Sequence, residues 1–202
     1  MQQFEVINIL KKRLNFSEHS IEKLKRFTNL VLEENKNYNL IAKSTENQIW
    51  HRHILDSAQL VKFIDFNLNS LADLGTGAGF PGLVVEIFNK NKAFHVKLYE
   101  KSPVKRKFLE NVQKFLDFTI KDNIFDYPRI KTDYIVCRAF KKLIAILEIS
   151  REKVKNPHQI IVLKGKNALK ELKKLPKHND YRYKIVDSVT NKESKIIIAK
   201  KK

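Results

Sequence analysis

The chain has 202 residues, of which 43% are hydrophobic, and its formal net charge is +18. No apolar run is long enough to span a membrane, and the N-terminus lacks a signal-peptide pattern, so the composition predicts a globular cytoplasmic protein. Self-repulsion on this scale favours an anionic partner, for which nucleic acid, an anionic membrane surface and an acidic protein are the candidates.

The N-terminal third of the chain is predicted to be helical. Apolar residues recur at helical spacing between Phe4 and Leu10, and Ser17 stands at the N-cap position of a second amphipathic helix. Thr45 and Gln48 form a capping-box pattern, which predicts that a third helix begins there. No low-complexity linker separates this region from the remainder of the chain.

From residue 70 onward, strand-like and helix-like segments alternate, which predicts a parallel sheet with helices on both faces. The last two strand-like segments follow each other without a helix and predict an antiparallel hairpin at the sheet edge. This is the outline of the class I methyltransferases: an α/β, Rossmann-like, mostly parallel seven-stranded sheet. We expect a single domain, 1–202, with a helical region at 1–66 and the Rossmann-like core at 67–202. The strands are predicted at 71–74, 94–99, 118–121, 133–137, 159–163, 181–189 and 194–200, and the intervening helices at 82–89, 103–116, 141–153 and 167–174.

A glycine cluster follows the first predicted strand in the stretch LADLGTGAGFPG. The chain has only five glycines, and four of them lie here. Glycine lets a backbone turn sharply and approach a ligand, and the carboxyl end of a parallel strand is where open α/β sheets bind ligands. We therefore expect a cofactor loop. The four clustered glycines are Gly75, Gly77, Gly79 and Gly82.

Two cofactors compete for this loop. The stretch from Gly77 to Gly82 fits the dinucleotide pattern G-x-G-x-x-G, but the glycine next to the strand is Gly75, which favours the S-adenosylmethionine pattern that starts at Asp73. The Asp73 carboxylate either receives the ammonium of a methionine moiety or holds the loop through backbone N–H groups, and it would repel a pyrophosphate. Glu100, at the end of the second strand, is placed to accept hydrogen bonds from the ribose hydroxyls.

Six motifs together resemble one family, the bacterial 16S rRNA 7-methylguanosine methyltransferases (RsmG, also called GidB). The resemblance covers nearly the whole chain, and GTGAGFPG followed by K-R-x-F-L is far more specific than a glycine loop alone. RHILDS and CRAF are not general methyltransferase features. The motifs are YNLIA (38–42), RHILDS (52–57), DLGTGAGFPG (73–82), SPVKRKFL (102–109), CRAF (137–140) and LKG (163–165).

The resemblance implies methyl transfer from S-adenosylmethionine to N7 of one guanine, guanine 527 in standard rRNA numbering, in the 16S rRNA of the small ribosomal subunit or its assembly intermediate. It implies cofactor contacts at Phe80 and Arg138 as well as at the glycine loop, and adenine contacts at Ile124 and Phe125. The adenine segment departs from the family pattern, because Asn123 stands at the position of an expected arginine and Phe125 at that of an expected acid.

Guanine N7 carries a lone pair and no proton, so its methylation needs no general base, and holding the reactants in attack geometry lowers the barrier. The catalytic candidates are Arg138, whose fork suits the methionine carboxylate or a substrate phosphate, and Lys164, which is expected to face RNA or the guanine. The open alternatives are a surface salt bridge for Arg138 and a solvated side chain for Lys164. His53 either faces the cleft or, with Asp56, anchors its helix. The single Cys137 is predicted to be buried.

No metal-ligand spacing occurs among the histidines, so no metal site is predicted. A basic cluster where the second strand meets its helix, extended by two lysines after CRAF, is expected to contact RNA phosphates. The alternative functions are a methyltransferase acting on another substrate and an RNA-binding protein without catalysis, which the altered adenine segment suggests. A monomer is expected. The basic residues are Lys101, Lys105, Arg106, Lys107, Lys141 and Lys142.

Overall fold

The computed structural model describes residues 1–176 and 180–201 and contains a seven-stranded sheet. The strands are β1 (Ser70–Leu74), β2 (His95–Tyr99), β3 (Thr119–Lys121), β4 (Tyr134–Arg138), β5 (Gln159–Lys164), β6 (Tyr181–Asp187) and β7 (Lys195–Lys201). Their order is β3-β2-β1-β4-β5-β7-β6, in which β1 to β5 pair in parallel and β7 pairs antiparallel with both β5 and β6. The predicted α/β fold with an edge hairpin is confirmed.

The helices cover the sheet, and several begin where the sequence predicts. Pro103 starts α5, and the Ser102 hydroxyl caps it by accepting a hydrogen bond from the Lys105 amide. No helix in the described part of the chain is long and apolar enough to cross a membrane. The helices are α1 (Gln3–Leu14), α2 (Glu18–Glu34), α3 (Asp56–Ala58), α4 (Gly82–Phe88), α5 (Pro103–Gln113), α6 (Leu143–Lys153) and α7 (Ala168–Lys173).

The N-terminal helices pack on one face of the sheet. The apolar side of α2, which includes the fully buried Phe27, joins the same core as residues of β1 and α4. Ser17 caps α2 as predicted, through a hydrogen bond from the Ser20 amide to its hydroxyl. The Ser20 hydroxyl in turn donates to the Ile87 carbonyl at 2.9 Å, which ties α2 to α4. Phe4, by contrast, is 72% exposed, because α1 buries the side that carries Val6 instead.

The predicted third helix differs from the structure. The segment from residue 43 to 63 passes through a 3₁₀-helix, a π-helix, α3 and a second 3₁₀-helix. Thr45 does not cap it: its hydroxyl donates to the Ala42 carbonyl at 2.7 Å and is hydrogen bonded to His53 Nε2 at 2.8 Å. The capping-box prediction is therefore wrong, because the hydroxyl is held by a tertiary contact. The non-α elements are Lys43–Gln48 (3₁₀), Trp50–Leu55 (π) and Gln59–Phe63 (3₁₀).

The direction of the chain through the sheet fixes where a ligand can lie. From β1 the chain winds to β2 and β3 on one side, and then crosses to β4 and β5 on the other. The carboxyl ends of β1 and β4 therefore flank a topological switch point, the usual ligand crevice of an open α/β sheet. Cys137 is fully buried in β4 just before this edge, as predicted, and burial raises the pKa of its thiol.

Candidate active site

The glycine loop after β1 has a left-handed backbone at alternate positions. Gly75, Gly77 and Gly79 have φ angles of 67°, 63° and 99°, where side chains other than glycine's are strained. The amides of Gly75 and Thr76 both donate to the Tyr99 carbonyl, at 2.9 and 3.1 Å, so the loop is fixed to the end of β2. A Cβ atom on Gly75 would lie 2.3 Å from the ring of Phe140, which covers this part of the loop.

Asp73 lies fully buried beneath the loop and holds it. Its Oδ2 accepts hydrogen bonds from the Thr76 hydroxyl at 2.6 Å and from the Gly82 amide at 2.8 Å. Of the two roles considered for this carboxylate, the structure shows the one that stabilises the loop. Burial raises the pKa of Asp73 to about 7, although both hydrogen bonds oppose the shift. Its Oδ1 is buried without a hydrogen-bond partner among the described residues, and the charge of Arg138 also opposes the rise of the pKa.

Glu100 joins the end of β2 to the same loop. Its Oε2 accepts from the Gly77 amide at 2.9 Å, and its Oε1 accepts from the Ser102 amide at 2.8 Å. Each carboxylate oxygen has a second lone pair, so both remain able to accept a hydroxyl. Glu100 is only 6% exposed, and its exposed part lines a cavity beside the glycine loop.

This first cavity, called here the loop cavity, has a volume of about 330 Å³. It brings together four of the predicted cofactor residues, whereas Asp73, Gly77 and Gly79 are not among the residues that line it. Ile124 is 2% exposed, and Phe125 is 47% exposed at the mouth. The lining residues are Gly75, Tyr99, Glu100, Lys101, Lys105, Asn123, Ile124, Phe125, Ala139, Phe140 and Lys141.

Phe80 lies apart from the loop cavity. Its side chain is 3% exposed, and its ring packs against the rings of Phe27 and His53 with centroid separations of 5.1 Å. The guanidinium carbon of Arg138 lies 5.2 Å from the Phe80 centroid. Phe80 therefore belongs to the contact between the sheet and the N-terminal helices, and the cofactor contact expected for it stays a prediction.

Arg138 is the last residue of β4 and is engaged by the helical segment that contains RHILDS. Its Nη1 donates to the Arg52 carbonyl at 2.9 Å, and its Nη2 contacts His53 Nδ1 at 2.7 Å. Asp56 Oδ2 completes the set, 3.6 Å from Nη1. Arg138 is thus paired with Asp56, but the two side chains are only 18% and 17% exposed, so this is a largely buried ion pair and not the surface salt bridge considered from the sequence. A guanidinium with five N–H groups still has donors left for a ligand.

His53 is neutral in this arrangement. Because Arg138 donates to Nδ1, the ring proton lies on Nε2, which donates to the Thr45 hydroxyl. Burial and the neighbouring Arg138 and Arg52 charges lower the pKa of His53 to about 3. His53 therefore accepts a hydrogen bond from Arg138 and donates one to Thr45. Of the two roles considered for His53, the structure shows the one that anchors its helix.

A second cavity, called here the basic cavity, lies on the other side of Ala139 and has a volume of about 510 Å³. Ala139 lines both cavities and has a φ angle of 50°. Basic side chains in the lining outnumber acidic ones, so the basic cavity favours an anionic ligand. Its charged lining residues are Arg52, Asp56, Arg138, Lys164, Lys166, Glu171 and Lys195.

Lys164 lines the basic cavity but is paired. Its ammonium lies 2.8 Å from Glu171 Oε2 and donates to the Lys141 carbonyl at 2.5 Å, and its side chain is 12% exposed. The same Glu171 oxygen accepts from the Leu143 amide at 2.6 Å. The alternative of a freely solvated lysine is therefore not what the structure shows.

The wall of the basic cavity is held by three parts of the chain that are far apart in sequence. Asp56 Oδ1 accepts from the Thr190 hydroxyl at 2.8 Å and from Gln59 Nε2 at 3.1 Å, while Oδ2 faces Arg138. Sequence reasoning missed Thr190, because nothing in its neighbourhood marks a site. Among residues 1–176 and 180–201 there is no group of three or more His, Cys, Asp or Glu side chains that could hold a metal ion.

Comparison with known proteins identifies the family. The model of the family GidB, rRNA small subunit methyltransferase G, matches residues 20–198. The rRNA small subunit methyltransferase G of Pelagibacter ubique is 34% identical over 199 residues, which cover 95% of this chain and 93% of that protein. The chain belongs to this family. The resemblance stated from the motifs is thereby confirmed. Membership of this family implies methyltransferase activity on small-subunit rRNA.

Solved structures support the fold. Fibrillarin from Aeropyrum pernix, crystallised with natively bound S-adenosyl-L-methionine, superposes with a TM-score of 0.55 at 13% identity and covers 74% of this chain and 75% of that chain. TYW2 from M. jannaschii, in complex with AdoMet, gives a TM-score of 0.54 at 17% identity, with 74% of each chain covered. At these identities the likeness shows the class I methyltransferase fold and nothing finer.

Proposed function

We propose that this protein transfers a methyl group from S-adenosylmethionine to N7 of a guanine in 16S rRNA, guanine 527 in standard rRNA numbering. The chain belongs to the family of rRNA small subunit methyltransferase G. The choice of nucleotide and of ring atom is our assignment. One observation carries the proposal. The loop cavity, whose lining includes Glu100, apolar side chains and three lysines, shares Ala139 with the basic cavity, beside the switch point of the sheet.

The residues of the loop cavity fit S-adenosylmethionine. Glu100 offers two carboxylate oxygens to the ribose hydroxyls, and Ile124 offers an apolar surface to the adenine. Gly77 has nothing within 4 Å of the position of a Cβ atom, so the loop leaves open space there. The buried carboxylate of Asp73, with its unpartnered Oδ1, complements the positive charge of this cofactor from beneath the loop. When bound, the cofactor supplies an electrophilic methyl group on a sulfonium.

The remaining residues position the substrate. Guanine N7 attacks with its own lone pair, so no proton has to be removed, and the neutral His53 is not required as a base. We assign to Arg138 and Lys164, in the wall of the basic cavity, the role of binding the guanine or an adjacent phosphate. Restricting both reactants to attack geometry contributes on the order of 7–11 kcal/mol to the lowering of the barrier.

We further propose that the substrate is a small ribosomal subunit or its assembly intermediate, and that the protein acts as a monomer in the cytoplasm, where bacterial subunits are assembled. Proteins recognise a guanine within folded rRNA through the shape of the RNA and through unstacked bases nearby. A large basic surface can contact the phosphates around such a guanine. The net charge of +18 supports such an extended contact with RNA.

Transfer of a labelled methyl group to small subunits that lack the modification tests the proposal. We expect one labelled nucleotide, which mapping identifies as a guanine methylated at N7. A labelled adenine or cytosine, or label in protein alone, contradicts the assignment. Binding of S-adenosylmethionine by calorimetry without any transfer to RNA would instead support a methyltransferase with another substrate.

A further inference from the structure

The mouth of the loop cavity carries more positive charge than its proposed cofactor can use. Three ammonium groups line it, from Lys101, Lys105 and Lys141, together with the single carboxylate of Glu100. That carboxylate already accepts hydrogen bonds from two backbone amides. S-adenosylmethionine has no phosphate, and its only carboxylate belongs to the methionine part, not to the adenosine part that Glu100 and Ile124 suit. These lysines are therefore available to a ligand other than the cofactor.

An exposed aromatic ring stands beside these lysines. Phe125 is 47% exposed, although its neighbour Ile124 is only 2% exposed. The Lys141 ammonium lies 5.2 Å from the centroid of Phe125 and 5.8 Å from that of Phe140. The turn that carries Phe125 is held from below, because Lys153 Nζ donates to the carbonyls of Phe125 and Tyr127, at 3.4 and 2.7 Å. The ring is thus exposed to solvent on a turn whose backbone is hydrogen bonded, and the ammonium of Lys141 lies beside it.

The remaining charged side chains nearby do not cancel the positive charge of these lysines. Arg106 and Asp122 form an ion pair of 3.1 Å with each other. Asp126, next to Phe125 in the chain, is exposed, and the ammonium of Lys121 lies 5.9 Å from the Tyr127 ring. The balance around the ring is positive.

We infer that Phe125, Lys101, Lys105 and Lys141 form a second RNA-binding surface, called here the aromatic rim, at which an unpaired nucleotide of the substrate stacks on Phe125 while its phosphates meet the lysines. An exposed aromatic face combined with flexible cations is the arrangement by which proteins bind single-stranded RNA. The inference rests on the proposed function for the identity of the RNA. It assigns the Phe125 ring to the substrate and leaves the cofactor to the cavity behind it.

Binding of RNA and of cofactor are measured separately to test this surface. The RNA probe is a fluorescein-labelled 12-nucleotide single strand of alternating A and C, titrated by anisotropy with saturating S-adenosylhomocysteine so that the loop cavity is filled. Affinity for S-adenosylmethionine is measured by calorimetry. The ring variants are Phe125→Ala and Phe125→Trp, and the charge variant is Lys101→Ala combined with Lys105→Ala. The matched control combines Lys36→Ala with Lys114→Ala, two exposed lysines outside the cavity.

We expect Phe125→Ala to weaken RNA binding by about 5-fold or more, and Phe125→Trp to preserve it, because stacking tolerates any large aromatic ring. The lysine pair should lower the slope of log K against log salt by roughly 1.4, which corresponds to two phosphate contacts on a single strand. The control pair should retain the slope of the unaltered protein. Phe125→Ala should weaken RNA binding by a larger factor than it weakens S-adenosylmethionine binding, and the control pair should leave the affinity for S-adenosylmethionine within twofold of that of the unaltered protein.

Two outcomes overturn the aromatic rim. If Phe125→Ala weakens S-adenosylmethionine binding and leaves RNA binding unchanged, the ring covers the adenine of the cofactor. If the control pair reduces RNA binding as much as the rim pair, net charge alone is responsible. Failure of the proposed function is a separate result: a protein that binds the oligonucleotide through Phe125 but methylates no rRNA retains the surface and loses the assigned reaction.

Discussion

Arg138 Nη2 and His53 Nδ1 lie 2.7 Å apart and connect the end of β4 to the π-helical turn of the N-terminal region. The two residues are 85 positions apart in the chain. Because the guanidinium always carries its protons, it fixes the tautomer of His53 and, with burial, keeps that ring neutral. The wall of the basic cavity is therefore held by a hydrogen-bond chain whose direction is fixed.

This contact predicts that Arg138→Lys destabilises the protein. A lysine cannot reach the Arg52 carbonyl and His53 Nδ1 together in one plane, so one buried acceptor is left unpaired. We expect the free energy of unfolding from urea titration to fall by about 2 kcal/mol. Arg52→Ala is the control, because only its backbone carbonyl is used and its side chain is exposed. Equal losses for both variants would contradict the role given to the Arg138 fork.

The sheet could be predicted closely from the sequence, because parallel strands buried on both faces give continuous apolar runs. The fourth strand was expected at 133–137 and lies at Tyr134–Arg138. The site could be predicted only in part. Glycines and strand-end carboxylates mark the loop cavity locally, whereas the burial of Phe80 against Phe27 and the contact of Asp56 with Thr190 depend on tertiary packing. Hydrophobic periodicity carries no information about such partners.

Gly75 and Gly77 predict different costs for the same substitution. Both have a left-handed backbone, so alanine costs about 1–2 kcal/mol at either position. Only at Gly75 does the added Cβ atom also meet a side chain, the ring of Phe140 at 2.3 Å. We expect Gly75→Ala to lower the free energy of unfolding further than Gly77→Ala does, by about another 1–2 kcal/mol.

A double-mutant cycle separates the two causes of the Gly75→Ala effect. In a protein that already carries Phe140→Ala, the ring is absent and only the backbone strain remains. The cost of Gly75→Ala in that background should fall to the cost of Gly77→Ala, as measured by urea titration. An unchanged cost would show that the Phe140 ring does not constrain the loop.

Glu86 predicts a pH dependence of stability. Glu86 lies half-buried on α4. The hydrogen bond that its carboxylate accepts from Asn89 Nδ2 is long, at 3.5 Å. Burial raises the pKa of Glu86 from 4.5 to about 8, with Asp117 adding to the shift and Lys23 opposing it. The folded state therefore holds the proton more tightly than the unfolded state, and the stability that Glu86 contributes below pH 4.5 is lost as the pH rises through about 8.

Glu86→Gln removes this dependence, because glutamine does not ionise. The variant should match the unaltered protein near pH 4.5 and exceed its free energy of unfolding by on the order of 5 kcal/mol at pH 9. Urea titrations at four pH values between these limits measure the difference. Glu110→Gln, at an exposed position of α5, should show no such trend. A difference that is constant with pH would mean that Glu86 ionises normally in the folded state.

The ion pair between Lys164 and Glu171 predicts opposite effects for its two members. If Lys164 meets a substrate phosphate, Lys164→Ala removes one contact and should raise the KM for small subunits by roughly 3- to 10-fold, with the affinity for S-adenosylmethionine unchanged. Glu171→Gln removes a negative charge from the basic cavity and frees the lysine, while its amide oxygen still accepts from the Leu143 amide. That variant should lower the KM. If both variants reduce activity alike, the ion pair serves the fold, and Lys164 has no contact with RNA.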